Sequence, residues 1–316
     1  MRIGWSKLYS YLNRKPSNYL SLGIEYDVNG LNVCAFKEID NHPRLALTQF
    51  IPKADWQSEL QAFVVEHDLS NTETSVVLAC NRYQLLQTDK PNVPDEEIAE
   101  ALQWSIKDLL MTQDEVVVDY FDLPAQTTGA NKVNVVAIPK DELYEVCQGI
   151  MESGLLIKVV TVEELATCEL LPDTQEAYVT VFQSKGSEVS LNIVKEGNIY
   201  FSRRIRGYEQ IGNFTEMELQ MGVAETISVE LQRSMDFFES QLRQAPVKKI
   251  FIRLDTEHQQ TLAKLIQDAM LVDTVPFAPP VLKAEDIDFQ DCSLPAIGSG
   301  FSLLGIEKIP VQEDAA

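Results

Sequence analysis

The sequence predicts an α/β protein of two lobes, and three features of its strand pattern support this prediction. Three β-rich segments follow one another between residues 18 and 52, and a similar triplet occupies residues 177–207. A block with a different order of strands and helices lies between the triplets. Because a pattern that returns along a chain indicates internal duplication, we expect two lobes of the same kind and one insertion.

The first lobe begins with alternating, β-rich sequence. NYLSLGIEYD and GLNVCAFKEI are separated by Asn29-Gly30, a pair typical of a tight hairpin turn. RLALTQFIP predicts a third strand, ADWQSELQAFVVEH a helix and TSVVLAC an apolar strand. This β-β-β-α-β order is that of an actin-like (ribonuclease H-like) lobe. We assign residues 1–83 and 156–172 to the first lobe.

The inserted block covers residues 84–155. RYQLLQTDKP predicts a strand, and PDEEIAEALQWSIKDLL predicts a helix with proline and acidic residues in its first turn. EVVVDYFDLP and KVNVVAIP predict two more strands, and DELYEVCQGIMESG predicts a helix that ends at Gly154. The block therefore indicates a small α+β subdomain.

The second lobe is predicted to span residues 173–316. Its strand triplet has tight turns at Lys185-Gly186 and Glu196-Gly197. Helical sequence follows around residues 207–246 and indicates a helical subdomain. VKKIFIRL then predicts a strand and TEHQQTLAKLIQDAM a helix.

Composition and charge exclude several classes of function. The net charge of −22 opposes binding to nucleic acid, whose phosphates require lysine and arginine. The five cysteines include no CxxC pair and the three histidines are scattered, so we expect reduced, buried thiols and no metal site. The chain has no apolar run long enough to cross a bilayer and no secretory signal. We expect a cytoplasmic location.

The first twenty residues are basic, and residues 3–13 show the spacing of a short amphipathic helix. Such a helix can lie on an anionic membrane surface or in the groove of a partner protein. It can equally fold back onto its own domain. The sequence leaves these alternatives open, so peripheral contact with the inner membrane is one of them.

Four longer segments resemble the PilM-type family of type IV pilus assembly proteins, and more narrowly the MshI-type proteins of mannose-sensitive haemagglutinin (MSHA) pili. The resemblance covers nearly the whole chain. The segments are VPDEEIAEALQWSIKDLL with VVVDYFDL, AIPKDELYEVCQGIMESGLLIKVVTVEELA, ETISVELQRSMDFF and LPAIGSGFSLL. The third is similar to the family's EIRRSLDYF helix, and the last to its closing AIGLALR segment.

The resemblance implies an actin-like fold with an inserted subdomain and a place on the cytoplasmic face of the inner membrane. It also implies a scaffold that binds the cytoplasmic N-terminal segment of a PilN-like inner-membrane protein, with other pilus platform or motor components as further partners. In the family the peptide lies in a cleft between the first lobe and the inserted subdomain. The candidates to line that cleft in this chain are Tyr83, Leu85, Val117, Tyr120 and Phe121.

The loops that hold nucleotide in actin-like proteins depart from the family pattern. Where the family's first loop reads like LDIGSSSVK, Glu25 replaces an aspartate and Asp27 stands where a glycine would contact phosphate. A carboxylate at that position repels phosphate unless a metal ion lies between them. Asn29 and Gly30 complete this loop.

The second loop, with Gly186 and Ser187, lacks the expected aspartate, and residues 252–257 lack the glycines of the adenosine motif. We therefore expect a vestigial nucleotide site, no cofactor, no catalytic residues and no enzymatic activity. The alternative is a rewired site that binds ATP and Mg²⁺ weakly, in an ATPase that couples nucleotide state to pilus assembly.

One basic cluster stands out in this acidic chain. Arg203, Arg204 and Arg206 follow the strand sequence NIYFS. They could bind an anion or a partner, or they could pair with nearby acids such as Glu196 and Glu209. We favour the pairing with acids.

Overall fold

The computed structural model describes residues 17–305. The predicted amphipathic helix at residues 3–13 lies outside this range. The described chain forms two units, each assembled from separate stretches of sequence. Unit 1 contains residues 17–77, 142–161 and 281–305, and unit 2 contains residues 78–141 and 162–280.

The strands of the described range occur in the following chain order. They are β1 Tyr19–Tyr26, β2 Gly30–Ile39, β3 His42–Pro52, β4 Glu73–Leu78, β5 Gln84–Asp89, β6 Val116–Asp122, β7 Lys132–Pro139, β8 Leu156–Val162, β9 Ala177–Phe182, β10 Val189–Lys195, β11 Asn198–Ile205, β12 Lys249–Arg253, β13 Asp273–Pro276 and β14 Leu282–Lys283. The main helices are α1 Trp56–Glu66, α2 Ile98–Ser105, α3 Lys140–Glu152, α4 Glu163–Cys168, α5 Ala224–Asp236, α6 Gln259–Met270 and α7 Leu294–Ser302.

The sheet of unit 1 has the strand order β14-β3-β2-β1-β4-β8. Its first three strands in the chain are antiparallel neighbours, as the predicted hairpins require. The turn between β2 and β3 uses Asp40 and Asn41, both with positive φ angles of 54° and 60°. Two consecutive residues with positive φ form the type I′ turn that suits the twist of a hairpin.

Helix α7 packs directly on β1 in unit 1. Gly23 of β1 makes the close approach possible, because a Cβ atom there would overlap the carbonyl oxygen of Ala296 and lie 2.6 Å from the nitrogen of Gly300. The hydroxyl of Ser21 donates to the carbonyl of Gly300 at 2.7 Å. Helix α7, near the end of the described range, therefore packs against and hydrogen-bonds to the first strand.

The main sheet of unit 2 has the order β11-β10-β9-β12-β13. In both sheets the three strands of the triplet are neighbours in the order third, second, first. The first strand of each triplet then pairs with a strand from later in the chain. This common order matches the predicted duplication. The turn between β10 and β11 is at Glu196-Gly197, as predicted, with positive φ angles of 52° and 66°. The core of this unit joins buried residues of β9, β10 and β12 to those of α5 and α6.

A smaller sheet in unit 2 has the order β5-β7-β6, with antiparallel neighbours. Helix α2 covers one face of this sheet with Ile98 and Leu102, and Ile106 follows in the same cluster. Because β7 is the central strand, it is buried along most of its length. This sheet with its helix is the inserted subdomain.

The helical region of unit 2 lies between β11 and β12. Thr215 begins it with a reciprocal capping interaction with Glu218. A kink follows, where Gly222 adopts a φ angle of 144°, and α5 continues from Ala224. The helical segments between β11 and β12 lie within residues 207–246.

The structure differs from the predicted boundaries in three places. Residues 281–305 lie in unit 1 rather than in the second lobe, because β14 pairs with β3 and α7 packs on β1. Most of α3 also belongs to unit 1, where Gly149 lies against the ring of Trp56. Helix α4 belongs to unit 2, because it packs on β10 and β11. These groupings depend on contacts between distant segments, which a local pattern does not report.

The cysteines of the described range are reduced. Cys34, Cys168 and Cys292 are buried, and Cys80 and Cys147 are partly exposed. Burial raises the pKa of the Cys34 thiol well above its usual value. Between residues 17 and 305 no helix is both long enough and apolar enough to cross a bilayer.

Candidate functional site

The loop between β1 and β2 carries the first set of predicted nucleotide-loop residues. The carboxylate of Asp27 accepts from the main-chain N–H of Asn29 and, at 2.9 Å, from that of Gly30. The N–H of Asp27 donates to the carbonyl of Gly30 at 2.9 Å. Asp27 therefore closes its own turn, and its burial at 8% exposure suits this role.

Glu25 lies inside unit 1 with no exposed surface. Its carboxylate accepts from the side-chain amide of Asn32 at 2.9 Å, and the two residues are direct partners in the β1–β2 ladder. Glu25 stands where the family pattern has an aspartate. The amide of Asn32 thus provides a hydrogen-bond donor for the buried carboxylate of Glu25.

The loop between β9 and β10 carries Gly186 and Ser187. Gly186 has a φ angle of 72° and open space around it, so it serves as an ordinary turn glycine. The hydroxyl of Ser187 donates back to the carbonyl of Ser184 at 2.6 Å. This loop, like the first, is closed by its own side chains.

Gln183 joins this loop to the segment that corresponds to the adenosine motif. Its amide nitrogen donates to the carbonyls of Ser187 and Tyr208, both at 2.8 Å, and its amide oxygen accepts from the N–H of Asp255 at 3.3 Å. Both ends of a buried amide are used within the protein. Unit 2 thus contains a side-chain link between two loops that hold ligand in active actin-like proteins.

A cavity of unit 2 lies between the β5-β7-β6 sheet and β11. Its volume is about 610 Å³, which is within the range of ligand-binding cavities. One wall is formed by β5 with the loop that follows β6, and the other by β11. Apolar side chains at the second wall include Tyr200, Phe201, Phe237 and Leu242.

Three side chains make a network at this cavity; Tyr83 and Glu164 are buried, and the Arg204 side chain is 18% exposed. The guanidinium of Arg204 donates through Nη2 to the hydroxyl of Tyr83 at 2.8 Å and to a carboxylate oxygen of Glu164. The hydroxyl of Tyr83 donates to the second carboxylate oxygen of Glu164. The guanidinium also lies 5.6 Å from the centre of the Tyr83 ring. The network joins the segment before β5, helix α4 and strand β11.

The environment of this network shifts all three pKa values. Burial raises the pKa of Tyr83 well above its usual range, and the Glu164 carboxylate adds to that shift. Burial also raises the pKa of Glu164, although the hydrogen bond from Tyr83 opposes the change. Burial lowers the pKa of Arg204 to about 10. Each shift has the direction expected for a charge removed from water.

Two of the five residues predicted to line a peptide cleft against the first lobe line this cavity of unit 2 instead. Tyr83 and Leu85 line the cavity. Val117, Tyr120 and Phe121 do not line it, because they lie on β6, on the far side of the central strand β7. Tyr120 packs instead with the cluster under α2.

The arginines after NIYFS pair with acids, as favoured from the sequence, but with different ones. Arg203 pairs with Glu230 at 2.6 Å, Arg204 with Glu164, and Arg206 with Glu188 at 2.8 Å. Glu164 and Glu230 lie on helices distant in sequence, so spacing along the chain could not identify them. The dense basic cluster was nevertheless a usable signal, since all three arginines line the cavity.

No group of three or more histidine, cysteine, aspartate or glutamate side chains is arranged to hold a metal ion between residues 17 and 305. The cavity combines strand edges, aromatic rings and ion pairs. Such a surface can bind and orient a ligand, and its polar groups are hydrogen-bond donors and acceptors for a polar chain.

Comparison with known proteins identifies the fold. No protein-family model matches the sequence, and no curated protein matches it. Among solved structures, a PilM–PilN type IV pilus biogenesis complex is similar, with a TM-score of 0.62 and 18% identity over 91% of this chain and 97% of that chain. A Bacteroides thetaiotaomicron protein with an actin-like ATPase fold and unknown function gives 0.50 and 12% over 97% and 100%.

The chain has an actin-like fold. It combines two lobes that share one strand order with an inserted three-stranded sheet. The cytoplasmic domain of EpsL, an inner-membrane component of the Vibrio cholerae type II secretion system, is also similar to this actin-like chain, with a TM-score of 0.47 and 11% identity over 81% of this chain and 96% of that chain.

Proposed function

We propose that this chain is a cytoplasmic scaffold of a type IV pilus assembly machine of the MSHA kind. It binds the cytoplasmic N-terminal segment of a PilN-like inner-membrane protein and holds it at the face of the membrane. The observation that carries the proposal is the cavity between β5 and β11, because it offers strand edges and aromatic rings to a polypeptide. This cavity lies between the inserted subdomain and a strand of the second lobe, so the proposed site differs from the cleft against the first lobe that the resemblance implies. The similarity to a PilM–PilN complex over 91% of the chain supports the choice of partner.

The proposal gives this chain no nucleotide chemistry. Asp27 closes its own turn, and Gln183 links the two loops that would contact phosphate and adenosine. These contacts favour a scaffold over an ATPase that couples nucleotide state to assembly. In the proposed scaffold, ATP hydrolysis belongs to other components of the machine.

Titration of the full chain with a synthetic peptide tests the proposal. The peptide is the cytoplasmic N-terminal segment of the PilN-like protein from the same organism, labelled for fluorescence anisotropy. We expect saturable binding, and no binding by a scrambled peptide of the same composition. Absence of saturable binding by the native peptide would overturn the proposal.

A substitution in the cavity makes the test specific. Leu85→Asp places a carboxylate at the wall of the cavity, and we expect it to reduce the affinity at least tenfold. Leu271→Asp is the matched control, since Leu271 is 89% exposed and does not line the cavity. The control variant should bind like the wild type.

A further inference from the structure

Two strand edges form opposite walls of the cavity. Among the strands of residues 17–305, β5 pairs with β7 alone and β11 pairs with β10 alone. Consecutive residues of both strands line the cavity, 84–87 of β5 and 200–204 of β11. Because successive side chains of a strand point to opposite faces, a wall of consecutive residues is the edge of the strand. The main chain of each strand therefore borders the cavity.

The hydrogen bonds of β5 identify its outward main-chain groups. The N–H of Lys90 donates to the carbonyl of Asn131 at 2.7 Å, in continuation of the β5–β7 ladder. Bonded and non-bonded pairs alternate along an antiparallel ladder, so the even-numbered residues of β5 bond to β7. The N–H and C=O groups of Leu85 and Gln87 point away from β7, into the cavity.

The same reasoning applies to β11. The N–H of Gln183 donates to the carbonyl of Arg253 at 2.9 Å, so the odd-numbered residues of β9 bond to β12 and the even-numbered ones to β10. The odd-numbered residues of β10 then bond to the odd-numbered residues of β11. The N–H and C=O groups of Ser202 and Arg204 therefore point away from β10.

Two side-chain atoms at this edge are buried and have no hydrogen-bond partner in the described part of the chain. They are Oγ of Ser202 and Nη1 of Arg204. Oδ1 of Asn192, directly opposite Ser202 on β10, is in the same condition. A buried polar atom without a hydrogen-bond partner destabilises the folded protein, so this edge is complementary to a ligand with hydrogen-bonding groups.

We propose, as a refinement that rests on the proposed function, that the partner segment inserts as an extended strand between β5 and β11 and pairs with both edges. Its main-chain groups bond alternately to Leu85 and Gln87 on one side and to Ser202 and Arg204 on the other. A carbonyl oxygen of the segment accepts from Nη1 of Arg204. Insertion joins the smaller sheet of unit 2 to its main sheet.

The cavity also defines the chemistry of the segment. At about 3.3 Å per residue, the four lining residues of β5 extend roughly 13 Å, so the paired part has about four residues. Proline is excluded from it because each N–H is needed. An apolar side chain packs on Phe201 and Phe237, whose rings lie 5.3 Å apart.

The charges at the cavity further limit the net charge of a segment that can bind there. Four cations line the cavity; they are Lys132, Arg203, Arg204 and Arg206. The three arginines form ion pairs with Glu230, Glu164 and Glu188, so these pairs leave one excess positive charge at the cavity. Complementary charge governs which partners an interface accepts. The inserted part of the segment is therefore neutral or acidic.

An N-methyl scan of the same synthetic peptide tests the insertion on the wild-type chain. Methylation removes one main-chain N–H at a time and leaves the side chains unchanged. An inserted strand uses N–H groups on both sides, so we expect a loss of at least tenfold at every one of the central positions. Loss at alternate positions only would indicate pairing with a single edge, and no loss would indicate binding through side chains; either result overturns the proposal.

A proline substitution in the protein gives an independent test. Gln87→Pro removes an outward N–H of β5 and leaves the ladder with β7 intact, so we expect at least tenfold weaker binding. The control is Val118→Pro on β6. Lys140 donates its N–H to the carbonyl of Glu115 at 2.8 Å, which places the N–H of Val118 on the outer edge of β6. The control should bind normally.

The two proposals fail in different ways. Binding of the peptide to wild type and to Gln87→Pro with equal affinity overturns the insertion and leaves the scaffold function standing. No binding to wild type overturns both. Melting curves verify that each variant is folded.

Discussion

Arg204 and Tyr83 are joined by a hydrogen bond of 2.8 Å although 121 positions separate them in the chain. Both side chains also bond to Glu164, whose side chain has no exposed surface. The segment before β5 is thereby connected to β11 and α4 through a network that contains the ion pair of Arg204 and Glu164. This connection determines one end of the cavity, and its energetics can be measured.

Glu164→Gln should destabilise the protein strongly. It leaves the guanidinium of Arg204 buried without its counter-ion, and loss of one partner of a buried ion pair costs about 3–5 kcal/mol. The double variant Glu164→Gln/Arg204→Gln should recover part of that loss, since no uncompensated charge remains. Urea unfolding of the wild type and the variants measures these differences.

Glu188→Gln provides the matched control for this prediction. Glu188 pairs with Arg206, whose side chain is 75% exposed, and exposed pairs contribute only about 0–1 kcal/mol. If Glu164→Gln and Glu188→Gln lowered the free energy of unfolding equally, the larger cost expected for the buried ion pair would be contradicted.

Tyr83→Phe should change how stability depends on pH in the alkaline range. In the unfolded chain the phenol ionises near its ordinary pKa of about 10. In the folded protein burial raises the pKa of Tyr83 and keeps its proton in place. The unfolded state therefore releases a proton first, and the free energy of unfolding falls above pH 10 by up to about 1.4 kcal/mol per pH unit.

The variant lacks this contribution, so its stability should fall less steeply above pH 10. The lowered pKa of Arg204 acts in the opposite direction in both proteins, because there the folded state releases its proton first. The difference between the two unfolding curves therefore isolates Tyr83. Parallel slopes from pH 8 to pH 11 would argue against a buried phenol.

Gly23→Ala should disrupt the packing of α7 on β1. The added Cβ would overlap the carbonyl of Ala296 and lie 2.6 Å from the nitrogen of Gly300, both main-chain atoms that cannot rotate away. Overpacking costs about 1–3 kcal/mol or more. Thermal unfolding should show a clear decrease in melting temperature.

Gly129→Ala is the comparison for this variant. Gly129 has open space around it and a φ angle of 82°, so only backbone strain applies, at roughly 1 kcal/mol. A smaller loss for Gly23→Ala than for Gly129→Ala would be inconsistent with the close approach of α7.

Millimolar Mg-ATP should leave the melting temperature unchanged. A ligand present at one hundred times its dissociation constant stabilises the folded state by about 2.7 kcal/mol, which would raise the melting temperature by several degrees. We expect no such rise, since Asp27 and Gln183 already use their hydrogen-bonding groups within the protein. A reproducible rise would favour the ATPase alternative.

The local sequence pattern was sufficient to predict the two strand triplets. Alternating apolar residues and turn pairs such as Glu196-Gly197 act within a few residues of one another, and the two sheets have the order that these triplets predict. The departure of Glu25 and Asp27 from the family pattern was also visible in the sequence. Their hydrogen bonds to Asn32 and Gly30 are local as well.

The sequence by itself determined the actin-like order of strands, the start of the insertion and the altered loops, because each depends on neighbouring residues. Tertiary structure alone decided that residues 281–305 return to unit 1 and that Arg204 pairs with Glu164. It also decided that Leu85 borders the cavity while Phe121 does not. These results depend on contacts between strand edges and charged side chains that are distant in sequence. The periodicity of residues along the chain does not report such contacts.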